Sequence, residues 1–384
     1  MEKIFILLSL ISVCLATHGF GQSISKPITI KVDVKKQSND IGLAFEKCSF
    51  IPLETSKECL FGRVALAEKH GDMFFLTNIR DELLMSFDAK GNFIANYVRS
   101  GKGPGELVSP MSFMIDSKND NVVICSWDRK ANLYFSLDGT FINEVPCSIN
   151  NEGMVMLQDG SIAYYTGKPY NMFNNKPDYS WLIITDKQSN VSYKGLYLPV
   201  IKKSGYVLYQ SFPRYKNEVY FKHPYADTIY KVDHQGPQPK YVFDFGKYQI
   251  DWSKIEPEPP IKIHLQIKGQ NKATIGQHFF EFENWIFIDV NHGKKYYYAL
   301  YNKLTGEVEL YDPKTTANSK GGSLGTVVGA TDKGLICLLE PLDLLYPDSP
   351  SSKPSDIKSN KELESIVSNL SETANPILMI CEFK

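Results

Sequence analysis

The residues best equipped for chemistry sit in polar turns that follow apolar runs. Asn78-Ile79-Arg80-Asp81, Trp127-Asp128-Arg129-Lys130, His223-Pro224-Tyr225-Ala226-Asp227 and Asn291-His292-Gly293-Lys294 each carry charged, aromatic or imidazole groups. Guanidinium and carboxylate groups pair with polar ligands, and flat aromatic rings offer stacking platforms. A further polar stretch, Arg99 followed by Gly101-Lys102-Gly103-Pro104-Gly105-Glu106, adds three charged side chains. The candidate ligand-binding set is therefore Arg80, Asp81, Arg99, Lys102, Glu106, Trp127, Asp128, Arg129, His223, Tyr225 and His292. The plain alternative for each is a solvated turn in which Asp bonds its own backbone.

Motifs that would announce catalysis fail on context. Gly101 to Glu106 is glycine-rich, but a phosphate loop needs G-x-x-x-x-G-K-[ST] between a strand and a helix, and a strand follows here. A tight crossing between strands, with glycines supplying positive φ, is the expected role. Gly321-Gly322-Ser323-Leu324-Gly325 matches G-x-S-x-G in form, yet a polar loop precedes it and a β-branched strand follows, so Ser323 is not expected to be a nucleophile. The histidines His70, His223, His234, His264, His278 and His292 show neither H-x-H nor H-E-x-x-H, and there is no C-x-x-C. Glu106, Glu152, Glu281 and Glu283 are the acids placed near the expected inner strands. Neither a metal site nor a cofactor is expected from these patterns, and no catalytic residue is assigned.

The elements that hold these turns are strands. Phe, Tyr, Val, Ile and Thr abound, turn residues recur at short intervals, and helical spacing of apolar residues is confined to the C-terminal region. One unit repeats, clearest in Met73 to Val98 and Val122 to Val145, with the turns Phe87-Asp88-Ala89-Lys90-Gly91 and Ser136-Leu137-Asp138-Gly139 about 48 residues apart. A four-stranded meander of that size cannot bury both faces alone, and blades set around an axis bury each sheet between two others. Inner strands are expected near Gly62, Met111, Met154, Ser211, Ile275 and Thr326, which predicts an all-β, six-bladed β-propeller of four-stranded antiparallel blades. The last unit is one strand short, and Phe45 to Leu53 has no blade of its own, so this N-terminal strand is expected to join the last blade and close the ring. In such blades the turns between second and third strands share a face with the crossings between blades. Lys168 to Asp178, Gln249 to Thr274 and Pro341 to Asn375 read as loops or insertions, with a short surface helix over Ser355 to Leu370.

The N-terminus reads as a leader. Met1-Glu2-Lys3 precedes an apolar run from Ile4 to Leu15, and Gly19 and Gly21 suit cleavage before Gln22, so residues 1–21 are expected to be a signal peptide and 22–384 one propeller domain. Ile11-Ser12-Val13-Cys14 fits a lipoprotein box poorly because Val13 is bulky, so a lipid anchor at Cys14 is the less favoured outcome. No later stretch has the length of uncharged apolar residues that a transmembrane helix needs. The formal charge of −1 gives no electrostatic footprint for nucleic acid. Cys48, Cys59, Cys125, Cys147, Cys337 and Cys381 remain after cleavage, and buried thiols are expected because several lie in apolar runs, though export permits disulfides.

Three elements together resemble a known family. Ile51-Pro52-Leu53-Glu54-Thr55, the Gly101 to Glu106 crossing and Asn375-Pro376-Ile377-Leu378 are similar to the exported bacterial six-bladed β-propeller family, itself similar to NHL-repeat propellers. The resemblance implies a fold and an export route to the periplasm or cell surface, and no activity or site. The expected function is a monomeric binding or scaffolding propeller of the cell envelope, taking a protein, peptide or glycan. The alternatives are a metal-dependent hydrolase or lyase at the channel mouth, and a glycan-binding accessory of polysaccharide uptake with Trp127, Tyr170, Tyr179 and Tyr225 as platforms.

Overall fold

A computed structural model describes residues 26–60, 62–78, 83–167, 171–197, 210–223, 226–256, 258–349 and 356–384. The expected signal peptide and the candidates Arg80, Asp81, Tyr170 and Tyr225 lie outside these residues. The chain is mostly strand. β1 (Ile28–Lys31) and β2 (Phe45–Pro52) precede a meander of β3 (Leu66–His70), β4 (Met73–Asn78), β5 (Leu83–Phe87) and β6 (Phe93–Asn96). The next holds β7 (Pro110–Asp116), β8 (Asn121–Ser126), β9 (Ala131–Ser136) and β10 (Phe141–Pro146). The third pairs β11 (Gly153–Met156) and β12 (Ile162–Tyr165) with β15 (Leu182–Thr185) and β16 (Val191–Gly195), and carries an inserted hairpin, β13 (Asn171–Phe173) and β14 (Lys176–Asp178).

The fourth comprises β17 (Arg214–Tyr215), β18 (Glu218–Lys222), β19 (Thr228–Asp233) and β20 (Gly236–Asp244). The fifth comprises β21 (Ala273–Glu281), β22 (Trp285–His292), β23 (Lys295–Asn302) and β24 (Val308–Tyr311). The last contains β25 (Thr326–Ala330), β26 (Gly334–Leu339) and β27 (Ile377–Phe383), and β2 pairs antiparallel with β27 in a register that sets Phe45 opposite Phe383 and Pro52 opposite Ile377. β25 also touches β3 in parallel through Gly329 and Ala330.

Local chemistry explains the hairpins. The Asp88 carboxylate accepts from the N–H of Lys90 at 2.8 Å and of Asn92 at 2.9 Å, while Gly91 takes φ +87°, a conformation that glycine adopts without steric cost. Packing then follows from strands apolar on both faces. One buried cluster joins Phe75, Leu84 and Tyr97 of the first meander to Val122, Leu133 and Phe135 of the second. Another joins Val328, Ile336 and Leu378 of the last to Phe74, Leu76 and Phe87 of the first. The architecture is all-β and propeller-like.

Three features depart from the sequence expectations. β1 adds a parallel strand outside β20, and the chain then runs by isolated bridges at Gln37 to Leu310 and Asp40 to Ala317 before entering β2. The N-terminal segment thus straps the outer edges of three meanders, because its alternating Ile30, Val32 and Val34 find an apolar seat there. Gln249 to Thr274 is not all loop. Helix α1 (Pro260–Gly269) starts at a proline, whose fixed φ suits the first helical turn, and buries Ile263 and Ile267 one turn apart. Near the C-terminus, α2 (Pro341–Leu345) is followed by α3 (Lys361–Val367), shorter than expected and anchored by the fully buried Leu363, with Asn360 capping its first turn.

Candidate functional site

The innermost strands β3, β7, β11, β17, β21 and β25 all contribute to the wall of one cavity of about 730 Å³. Pockets for small ligands fall in this size range. His70 and Gly71, Lys216, and Asp332 and Lys333 belong to first-to-second hairpins, so the cavity reaches the face on which those hairpins lie. A second cavity of about 340 Å³ runs between the first hairpins of the second, third and fourth meanders and shares Arg214 and Lys216 with the first. Polar bonds stitch this rim together. His70 Nε2 lies 2.8 Å from Asp120 Oδ1, and the Tyr215 hydroxyl and Lys216 ammonium donate to Glu283 at 2.9 and 2.7 Å.

Several charged side chains line the larger cavity, among them Glu68 from β3 and Arg214 from β17. Each charge acts on the other, Arg214 favouring the ionised Glu68 and Glu68 the ionised Arg214. Arg214 is reachable by solvent but walled by protein, and this enclosure lowers its pKa, with Glu68 and Asp116 pulling it back up. Desolvation likewise raises the Glu68 carboxyl, against the pull of Arg214 and His70. A guanidinium on the wall of an open cavity can pair with a carboxylate or phosphate, in exchange for the weaker pull of Glu68 and Asp116. A carboxylate beside it accepts a hydroxyl or ammonium donor. No group of three His, Cys, Asp or Glu able to hold a metal is found among the described residues.

The eight described members of the sequence-derived set line neither cavity. Most of them serve the crossing between the first two meanders. Arg129 donates to Glu144 through Nε at 2.8 Å and Nη2 at 2.7 Å, and through Nη1 to the carbonyls of Lys102, Gly103 and Glu106. Glu106 accepts from the Gly103 N–H at 2.8 Å, and Arg99 donates to the Gly139 carbonyl at 3.1 Å. Gly105 has φ +73° and lies where an added Cβ would come 2.6 Å from Phe141 Cβ. The Asp128 carboxylate accepts from the Ser126 hydroxyl at 2.6 Å and the Ser109 N–H at 3.0 Å; burial alone would raise its pKa, but these donors hold it below the ordinary value. Trp127 is half exposed. His223 is buried and stacks on Trp181 at 5.0 Å, and His292 packs edge-on against Tyr248 at 4.6 Å with its pKa lowered by burial and by Lys295. Ser323 is buried, and β25 rather than a helix follows it.

Comparison with known proteins now places the chain. The family model described as "Domain of unknown function (DUF4934)" matches residues 27–382. The chain belongs to the DUF4934 family. A protein of Bacteroides fragilis NCTC 9343, named as an exported protein, has a crystal structure similar to it at TM-score 0.75 and 20% identity, covering 94% of this chain and 100% of that one. A DUF4221 member from Bacteroides vulgatus ATCC 8482 is similar at TM-score 0.50 and 12% identity, covering 88% and 97%. At these identities the likeness shows the fold alone. No curated protein matches the sequence. No helix among the described residues is long and apolar enough to cross a membrane.

In this DUF4934 chain the acids flagged near inner strands divide by environment. Glu152 lines the cavity, whereas the buried Glu281 accepts from the Tyr241 hydroxyl at 2.7 Å and the Lys303 ammonium at 2.6 Å, and Glu283 sits at the rim. Sequence reading missed Glu68 and Arg214. The available signal was weak: each is a charged residue within a short strand, and only the strand phase distinguishes a lumen position from solvent. Elsewhere, Lys222 at the end of β18 is almost wholly buried, which lowers its pKa to about 8 although Asp289 pulls it upward. Burial would raise the Asp289 carboxyl, but His278 and the N–H groups of Gln277 and His278, at 2.9 and 2.6 Å, bring it below the ordinary value.

Proposed function

We propose that this chain is a binding propeller of the bacterial cell envelope whose ligand enters the lumen. In this reading residues 22–384 form one domain of six blades, exported by a signal peptide at 1–21, monomeric, and closed into a ring where β2 pairs with β27. The ligand is a small polar molecule with an anionic group for Arg214 and a hydrogen-bond donor for Glu68, as in an α-amino acid or a uronic acid. The observation that carries this is the pair of opposite charges, Glu68 and Arg214, on the wall of one cavity that the inner strands share. The cavity's size and its convergent charged groups, with Phe74, Phe113 and Phe280 on the same wall, suit a small polar ligand.

The test is a thermal-shift and calorimetry screen of the purified protein against α-amino acids, uronic acids and simple carboxylates. A ligand that raises the melting temperature of the wild type and fails to do so with Arg214→Met supports the reading. Equal binding to Arg214→Met and Glu68→Gln, in variants with unchanged melting temperature, defeats it. The half-exposed ring of Trp127 favours a second reading, in which Trp127 and the crossing residues beside it meet a glycan. Glycan-array binding that survives Trp127→Ala together with Tyr225→Ala removes these residues from that reading.

A further inference from the structure

The two ends of the chain carry thiols that meet. Cys48 in β2 and Cys381 in β27 stand directly opposite each other in an antiparallel register, and their sulfurs lie 2.9 Å apart. Opposed residues in such a pair have Cα separations within the range that a disulfide spans, so bridging requires no slip of register. The two sulfurs differ in setting. Cys381 is fully buried, while Cys48 is half-buried at the edge of the same apolar cluster. Over them lies the Asn318 to Gly325 loop: the Asn318 side-chain amide approaches Cys48 Sγ at 3.7 Å and Cys381 Sγ at 3.9 Å and donates to the Ser323 carbonyl at 2.8 Å. A Cβ on Gly321 would stand 3.0 Å from Cys48 Sγ, so this glycine lets the loop close down on the sulfurs. The nucleophile-elbow look-alike is the lid of a thiol pair.

We propose that Cys48 and Cys381 form a redox latch, a disulfide that fastens the N-terminal strand to the C-terminal strand. The proposal stands on strand register and sulfur contact and does not depend on lumen binding. The chemistry is thiol–disulfide exchange with an oxidised disulfide-bearing donor, either a dithiol oxidoreductase or a small cystine-type disulfide. The Cys48 thiolate attacks one donor sulfur, making a mixed disulfide and expelling the other donor sulfur as a thiolate. Cys381 gives its proton to water and its thiolate attacks Cys48 Sγ, forming the latch and releasing the second donor thiol. Two protein thiols are oxidised and one donor disulfide is reduced. The roles follow from the environment: contact with Cys381 and Asn318 and the charge of Lys320 bring Cys48 below the ordinary thiol range against the effect of burial, whereas burial and its two cysteine neighbours push Cys381 up. Cys48 is therefore the attacking thiol and Cys381 the resolving one.

The test oxidises purified full-length protein with glutathione disulfide and maps peptides by mass spectrometry without reduction. The expected product joins the Cys48 and Cys381 peptides with loss of two hydrogens. Because the bridge closes a loop of most of the chain, the oxidised protein should melt higher than the dithiothreitol-treated protein by about 5 °C or more. Cys48→Ala, at the half-buried position, should fold and lose the oxidation-dependent rise, while Cys337→Ala should keep it. A bridge between Cys337 and Cys381, a bridge between Cys125 and Cys147 alone, or a rise that survives in Cys48→Ala would each overturn the latch.

Discussion

Replacing Phe45 by alanine tests whether the N-terminal strand is a structural member or a loose extension. Phe45 is wholly buried at the start of β2, opposite Phe383, with ring centroids 5.1 Å apart. Phe383 in turn packs on Phe282 at 4.6 Å and stacks on Trp285 at 5.9 Å, so one ring ties β2, the C-terminal strand and the fifth meander together. Truncating a fully buried Phe removes its transfer energy and leaves a cavity, a loss of about 3–5 kcal/mol. Leu43, only two residues away and 66% exposed, makes the control, and Leu43→Ala should stay within about 0.5 kcal/mol of the wild type. Urea unfolding followed by tryptophan fluorescence reads both, since Trp285 belongs to the affected cluster. The midpoint should fall for Phe45→Ala with the slope unchanged. A destabilisation below about 1 kcal/mol would refute the argument that β2 completes the last sheet. So would an equally stable monomer lacking residues 22–54, because such a protein would expose the edge of β27 without cost.

Lys222 supplies a pH prediction. Its pKa is about 8 in the folded protein against an ordinary 10.5, so between those values the unfolded chain holds a proton that the native state lacks, and stability rises with pH. Below pH 8 both states are protonated and the full penalty, about 3 kcal/mol, remains. Lys222→Met should therefore melt higher at pH 7 and lose the rise between pH 8 and 10; a wild-type curve that is flat or falling relative to the variant would contradict the burial argument. Gly105→Ala forces a side chain into a left-handed backbone against Phe141 and should cost about 1–3 kcal/mol in a chemical melt. In the reduced protein, interaction with Cys125 outweighs burial and brings Cys147 down to about 6, so its iodoacetamide rate should reach half its plateau near that pH; a midpoint near 9 would show an ordinary thiol.

Local order was legible along the chain because it is written locally. A turn such as Asp88 to Gly91 needs a carboxylate and a glycine a few residues apart, and both the requirement and its satisfaction lie within one hairpin. The same holds for the strands, whose apolar residues are the ones found in the interfaces between meanders. Helix α1 was missed because its prolines read as loop punctuation, although one of them opens the helix. The strap made by β1 was missed because a four-residue strand has no signal of its own; it exists only where β20 offers an edge.

The candidate site belonged to the tertiary structure. Glu68 and Arg214 come from strands far apart in the chain, and nothing near either residue says that it faces a lumen rather than solvent. Their shared cavity arises because the first strand of each meander contributes to one wall. Of the conspicuous turn residues, Arg129 spends its guanidinium on Glu144 and three carbonyls of its own crossing, a use that its type alone does not announce. Composition and pattern determined that this chain builds twisted antiparallel sheets. Which charges those sheets bring to one cavity, and which two thiols they press together, depends on register and long-range packing, and no local stretch of sequence encodes either.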